Sequence, residues 1–185
     1  MARIRIRILA ATAALLVAAA AGTAAATADS GAGHRPHKER EAAALTGSAK
    51  LYRPLGDDIT FTFDAHLAAK DNMQPEKAYG TFAFSHYLNG KGGWAKGRVD
   101  CLVTGGKVAV MTGVVTESDT PFKGKRVGIT VQDDGRHDRV GYSWVSPDTE
   151  KNKVPLCLGS APFETVKKGT GDFEVLPWRP VYPTK

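Results

Sequence analysis

Only two cysteines occur in the 185 residues, Cys101 in "RVDCLVTGG" and Cys157 in "VPLCLGS". Their distance along the chain rules out a C-x-x-C redox motif and the four-ligand spacing of a structural zinc site. "GYSWV" is not the nucleophile elbow G-x-S-x-G, no H-E-x-x-H occurs, and "GGWAKGRV" lacks the Lys-Ser/Thr pair of a phosphate-binding loop. No basic cluster is interleaved with aromatic residues, so a nucleic-acid surface has no basis. Past residue 22 the chain has no apolar run long enough for a membrane span, which needs roughly 20 residues. Helical periodicity is almost absent as well, and with it the crossover helices of a parallel α/β sheet.

What is present begins with a leader. "MARIRIR" carries Arg3, Arg5 and Arg7 and runs into the Ala-rich stretch "ILAATAALLVAAAAG", followed by the small-residue site Ala26, Thr27, Ala28. This pattern predicts a signal peptide over residues 1–28, cleaved before Asp29, and an extracellular protein with no transmembrane segment after cleavage. No Cys follows the apolar run to carry a lipid. Cleavage removes three of the 25 basic residues and none of the 19 acidic ones, so the mature chain is only mildly cationic. Weak attraction to anionic cell-wall polymers is compatible with that balance.

Residues 29–50, "DSGAGHRPHKEREAAALTGSAK", hold few large apolar groups and are predicted to be a flexible arm, in which "EREAAAL" forms at most a helical turn or two. His34 and His37 lie in this arm. From residue 51 to 178 the hydrophobic pattern has period two. Ile59, Phe61, Phe63, Ala65 and Leu67 share one face of "DITFTFDAHLA", and the rhythm recurs with Phe82 and Phe84, with Val99, Cys101 and Val103, and with Val108, Val110, Thr112 and Val114. It continues with Val127, Ile129 and Val131, with Val140, Tyr142 and Trp144, and in "DFEVL". "TGG" at Thr104–Gly106 and Asp134-Gly135 read as tight hairpin links, and "LNGKGG" as a longer turn. The expectation is an all-β fold: one antiparallel β-sandwich or partly closed barrel of about seven strands, ending in an extended tail over residues 179–185, with Trp178 packed on the domain.

In an exported chain the default for two cysteines is one disulfide, Cys101 to Cys157, and closing so long a loop restricts the unfolded state by roughly 4 kcal/mol. Cys101 shares the parity of Val99 and Val103, which places it among apolar neighbours rather than in the electropositive setting of a reactive thiolate. "TFTFDAH" and "TFAFSH" suggest a two-histidine metal site, but parity opposes it: His66 falls on the face away from the phenylalanines and His86 on their face. Asp133, Asp134 and Asp138 in "QDDGRHDR" are weak candidates for a cation, with ordinary hairpin turn chemistry as the alternative. Tyr87 and Trp94 are the candidate ligand contacts, because aromatics in Gly-rich turns stack on sugars or proteins, or else cover a barrel end.

Taken together, "GDDITFTFDAHLA", "GTFAFSHYLNG", "WAKGRVDCLVTGGKVAVMTGVV", "RVGITVQDDGRHDRVGYSW" and "APFETVKKGTGDFEVLPW" resemble a group of secreted actinobacterial β-domain proteins, some labelled repetin. The likeness spans about Leu45 to Trp178. It implies a secreted β-domain and carries no catalytic residue across. The functional expectation is a secreted, monomeric, non-catalytic binding or structural domain without a cofactor, its partner an extracellular protein or cell-wall polymer. The alternatives are a small hydrolase whose Ser, His and Asp meet only in space, and a protease inhibitor acting through the 117–125 loop with Lys123 and Lys125.

Overall fold

The computed structural model describes residues 40–143 and 153–181. The predicted signal peptide, His34, His37, Trp144 and the last four residues of the tail lie outside them. Among the described residues nine strands form one antiparallel sheet: β1 (Glu41–Lys50), β2 (Asp58–Ala68), β3 (Tyr79–Leu88), β4 (Lys91–Gly105), β5 (Val108–Ser118), β6 (Arg126–Gln132), β7 (Arg139–Tyr142), β8 (Glu164–Thr165) and β9 (Asp172–Leu176). β1 to β8 follow one another as a meander, and β9 adds beyond β1. Of the two architectures the alternation allowed, the chain takes the partly closed barrel: a single sheet curls around one core.

The inward face is the one that period two marks on β2, where Ile59, Phe61, Phe63, Ala65 and Leu67 are all buried. Phe82 shows how neighbouring strands make room for a large ring. Gly97 is its cross-strand partner on β4. A Cβ at Gly97 would lie 2.3 Å from the ring's Cζ, and one at Gly113 of β5 would lie 2.4 Å from its Cε1. Two glycines thus create the slot that one phenylalanine fills.

β1 corrects the flexible-arm reading of residues 29–50 over 41–50, residues 29–39 lying outside the described residues. Glu41–Lys50 is an interior strand, hydrogen-bonded to β2 on one side and β9 on the other, with Ala43 and Leu45 fully buried. Its small side chains are what the packing requires. Gly47 lies between Phe63 and Phe173, and at φ +117° an added Cβ would meet the Asp172 carbonyl at 2.2 Å. Low apolar bulk, taken from sequence as a sign of disorder, is here complementarity to large neighbours.

Two further differences concern faces. A bulge between Val99 and Cys101 shifts the register, so Gly97 and Val99 pair with Val115 and Gly113 on the inward face of β5, while beyond the bulge it is Leu102 and Thr104 that continue inward. Cys101 therefore turns outward, opposite Thr112. On β5 the inward set is Ala109, Met111, Gly113 and Val115, the parity opposite to the expected Val108, Val110, Thr112 and Val114; Val108 is exposed. "LNGKGG" also differs: Leu88 pairs with Lys91 across a two-residue turn in which Asn89 and Gly90 both have positive φ, 52° and 74°.

The outward turn of Cys101 explains the bridge. The Cys101–Cys157 disulfide, with Cα atoms 5.3 Å apart, holds the 153–163 segment against the outside of β5, β6 and β7. Thr112 beneath it is wholly buried: its hydroxyl donates to Asp100 Oδ1 at 2.7 Å and accepts from the Cys157 amide at 3.2 Å. Outward-facing Gly128 and Gly141 let the strap approach, since a Cβ at either would lie 2.1 Å from a strap carbonyl, that of Leu158 or Ala161. Among the described residues no helix is long and apolar enough to cross a membrane.

Candidate functional site

Phe63, Phe82, Phe173, Leu45, Leu67 and Met111 fill one half of the barrel. The other half is open. Its mouth is surrounded by the β1–β2 loop, the β3–β4 turn, the 119–125 loop and the end of β7, and it contains a cavity of about 380 Å³. The floor and walls are Ile59 and Phe61 from β2, Phe84 from β3, Val127 and Ile129 from β6, and Tyr142 from β7. Tyr142 tilts over Phe61, with ring centroids 5.2 Å apart. Phe122, from the exposed "ESDTPFKGK" loop, supplies the last wall, half-buried against the core. That loop is closed onto β5 by Gly124 N–H donating to the Val115 carbonyl at 2.8 Å.

The rim is polar on one side. Period two places His86 on the same inward face as Phe82 and Phe84, and here that face has reached the opening. His86 Nε2 lies 3.0 Å from Asp57 Oδ2, and the same oxygen accepts from Arg53 Nε at 3.3 Å. Arg53 Nη1 in turn donates to Glu164 Oε1. The Glu164 hydrogen bond holds the Arg53 guanidinium above its ordinary pKa. Burial pushes Asp57 upward, but its own backbone amide, His86 and Arg53 outweigh that and set it below the usual carboxylate value. An ionised Asp57 accepts hydrogen bonds only, so it fixes the imidazole with its proton on Nε2. Burial raises the Tyr142 phenol, with the Glu164 charge adding to it.

Of the two candidate ligand contacts, Trp94 stands at this rim and Tyr87 does not. The Trp94 amide donates to Asp119 Oδ1 at 2.7 Å, its carbonyl accepts from Ser118 Oγ at 2.7 Å, and Lys96 Nζ lies 5.4 Å from the ring centroid. Trp94 also borders a second hollow of about 150 Å³ beside Thr60 and Thr62. Tyr87 pairs with Gly92 on the parity opposite to His86, outside the cavity lining. The two histidines are not brought together: His66 sits between Glu41 Oε1 at 3.1 Å and Asp64 Oδ1 at 2.9 Å, stacked on Tyr79.

Asp133, Asp134 and Asp138 form no cation cage; two of them close the barrel. The open edge of β9 donates through Phe173 N–H to Asp138 Oδ2 at 2.9 Å and through Val175 N–H to Asp133 Oδ2 at 3.1 Å. Lys107 Nζ adds 2.8 Å to Asp133, and the Asp134 amide donates to Asp138 Oδ1. Two side chains thus serve where a tenth strand would, and satisfy buried donors. Burial would raise Asp133, but Lys107 and the Val175 and Gly135 amides bring it below its ordinary value; burial and neighbouring Asp172 leave Asp138 above. Among the described residues no group of three or more His, Cys, Asp or Glu is placed to hold a metal.

The sequence missed Asp57, Arg53 and Glu164, which lie in loops or a two-residue strand and meet His86 only through the curl of the sheet. No family model, curated protein or solved structure matches this chain.

Proposed function

We propose that this protein binds a small, mainly apolar molecule in the mouth of its barrel. The observation that carries the reading is the contrast within one interior: half is filled by side chains, and half is a cavity of about 380 Å³ walled by aromatic and aliphatic groups. That volume falls at the small end of ligand pockets, roughly 300–1,000 Å³, and barrel mouths are a recurrent place for them. The leader and the disulfide support an extracellular setting, where membership of the secreted actinobacterial group also belongs; attachment to the cell wall would follow from mild positive charge alone.

The test is titration with N-phenylnaphthylamine, whose emission rises in apolar surroundings. The expected result is saturable one-site binding that Ile129→Phe weakens by about tenfold, because the larger ring takes volume from the cavity, with the melting temperature confirming the fold. Absence of saturable binding, or equal binding by the variant, removes the reading.

A hydrolase is the second reading, favoured by one observation: Asp57 orients His86 as a base-supporting carboxylate does. Turnover of a p-nitrophenyl ester that His86→Gln abolishes would put catalysis in place of simple binding.

A further inference from the structure

We propose, resting on the binding reading above, that the occupant of the mouth is an amphiphile with a single acidic head, its apolar body against Phe61 and Ile129 and its carboxylate at the His86–Lys91 rim. The cavity wall carries charge of one sign only. Among the described residues that line it, the ionisable ones are His86, Lys91 and the phenol of Tyr142, and none is a carboxylate.

The acids nearby are already engaged. Asp57 is held by Arg53 and His86, Glu164 by Arg53, and Asp119 by the Trp94 amide. Lys91 has no ion pair among the described residues. It follows the two-residue turn after Leu88, so its ammonium is carried at the opening while the apolar lining begins below it. A ligand entering body first would therefore leave its head between a cation and an imidazole.

A carboxylate arriving at this opening meets Lys91 and His86 together, and a negative charge beside an imidazole favours its charged form. A cationic head gains nothing at such a rim, and a neutral hydroxyl gains only an uncharged hydrogen bond. Hydrogen bonds to charged groups are stronger than those between neutral ones.

Competition separates the possibilities. Decanoic acid, decanol and decylamine share one body and differ in head, and each is used at neutral pH to displace N-phenylnaphthylamine from the intact protein. Decanoate is expected to displace the probe at about tenfold lower concentration than decanol, with decylamine weakest. Lys91→Gln and His86→Gln should each erase much of the acid's advantage and leave decanol unchanged, with melting temperature confirming the fold. Equal displacement by acid and alcohol, or preference for the amine, overturns the acidic head while the binding site stands. An acid preference unaltered in both variants overturns the assignment to this rim. Failure of the probe and all three competitors to bind removes the binding reading itself.

Discussion

The two halves of the barrel interior use the same strands and end differently. Toward the closed end, Phe82 presses its ring into the space left by Gly97 and Gly113, and Phe63 meets Phe173 with centroids 5.2 Å apart. Toward the mouth, Phe61, Phe84 and Tyr142 follow at inward positions, the Phe61 ring tilted against the other two, and line the cavity. Large side chains close an interior only where small ones oppose them. At the mouth aromatic faces aromatic around a gap, and apolar lining becomes a receptacle instead of a core. Deleting a side chain should therefore cost much in one half and little in the other.

The largest effect is expected at Phe82. Phe82→Ala empties a slot whose walls are backbone and cannot collapse, so the cost should be about 3–5 kcal/mol by chemical denaturation. A loss below about 1 kcal/mol would mean that the closed half is not packed as described. Next is the strap. Replacing Cys101 and Cys157 together by Ser should cost about 2–4 kcal/mol, through the 56-residue separation released in the unfolded chain and through exposure of Thr112, Gly128 and Gly141. This change acts on the outer wall, so probe binding at the mouth should survive in whatever fraction remains folded.

How much of this was visible in the residues depends on what each feature rests on. The alternation of β2 named its inward face without error, because large apolar and polar residues take turns there. β5 misled the same reasoning: its inward positions include Ala109 and Gly113, the latter small because Phe82 occupies the space, while its outward valines are larger. β1 was hidden for a related reason, Gly47 being small because at its positive φ a Cβ would run into the Asp172 carbonyl of β9. The bulge beside Cys101 moves one residue across the sheet and leaves no signal in composition. The disulfide survived that error since it follows from compartment and cysteine count. The apolar part of the site was legible in Phe61, Phe84 and Ile129, and His86 was placed on their face. The Asp57–Arg53–Glu164 support depends on loops meeting across the curl, which no local pattern encodes.

The seam between β7 and β9 sharpens the comparison from a third side, since carboxylates close the filled half. Asp133→Asn leaves one amide oxygen for the donors of Val175, Gly135 and Lys107, and should cost about 1–3 kcal/mol at neutral pH. The sign of the pH dependence follows from the lowered value of Asp133: its contribution is complete above the unfolded carboxylate value, about 3.9, and fades as pH falls through the lower folded one. Asp138 works in the opposite direction, because its raised value means that its ionisation opposes folding as pH rises past the unfolded value. Denaturation of both proteins at neutral and strongly acidic pH should show the gap between wild type and Asp133→Asn narrowing in acid. A gap that widens would place the Asp133 charge on the wrong side of the balance.

The smallest effect completes the comparison with Phe82. Phe122 is also an aromatic packed on the core, yet it hangs from a loop, is half-buried, and borders open space on its inner side. Phe122→Ala removes fewer contacts and creates no sealed void, because the vacated volume joins the cavity and is reached by water. The transfer term alone then applies, on about half the ring's area, so the loss should stay near or below 1 kcal/mol. Its consequence should appear in the ligand instead: a wall is gone, and N-phenylnaphthylamine should bind more weakly by severalfold while the fold persists. If Phe122→Ala proved as damaging to stability as Phe82→Ala, the mouth would belong to the core, and the cavity could not be a place kept open for a guest.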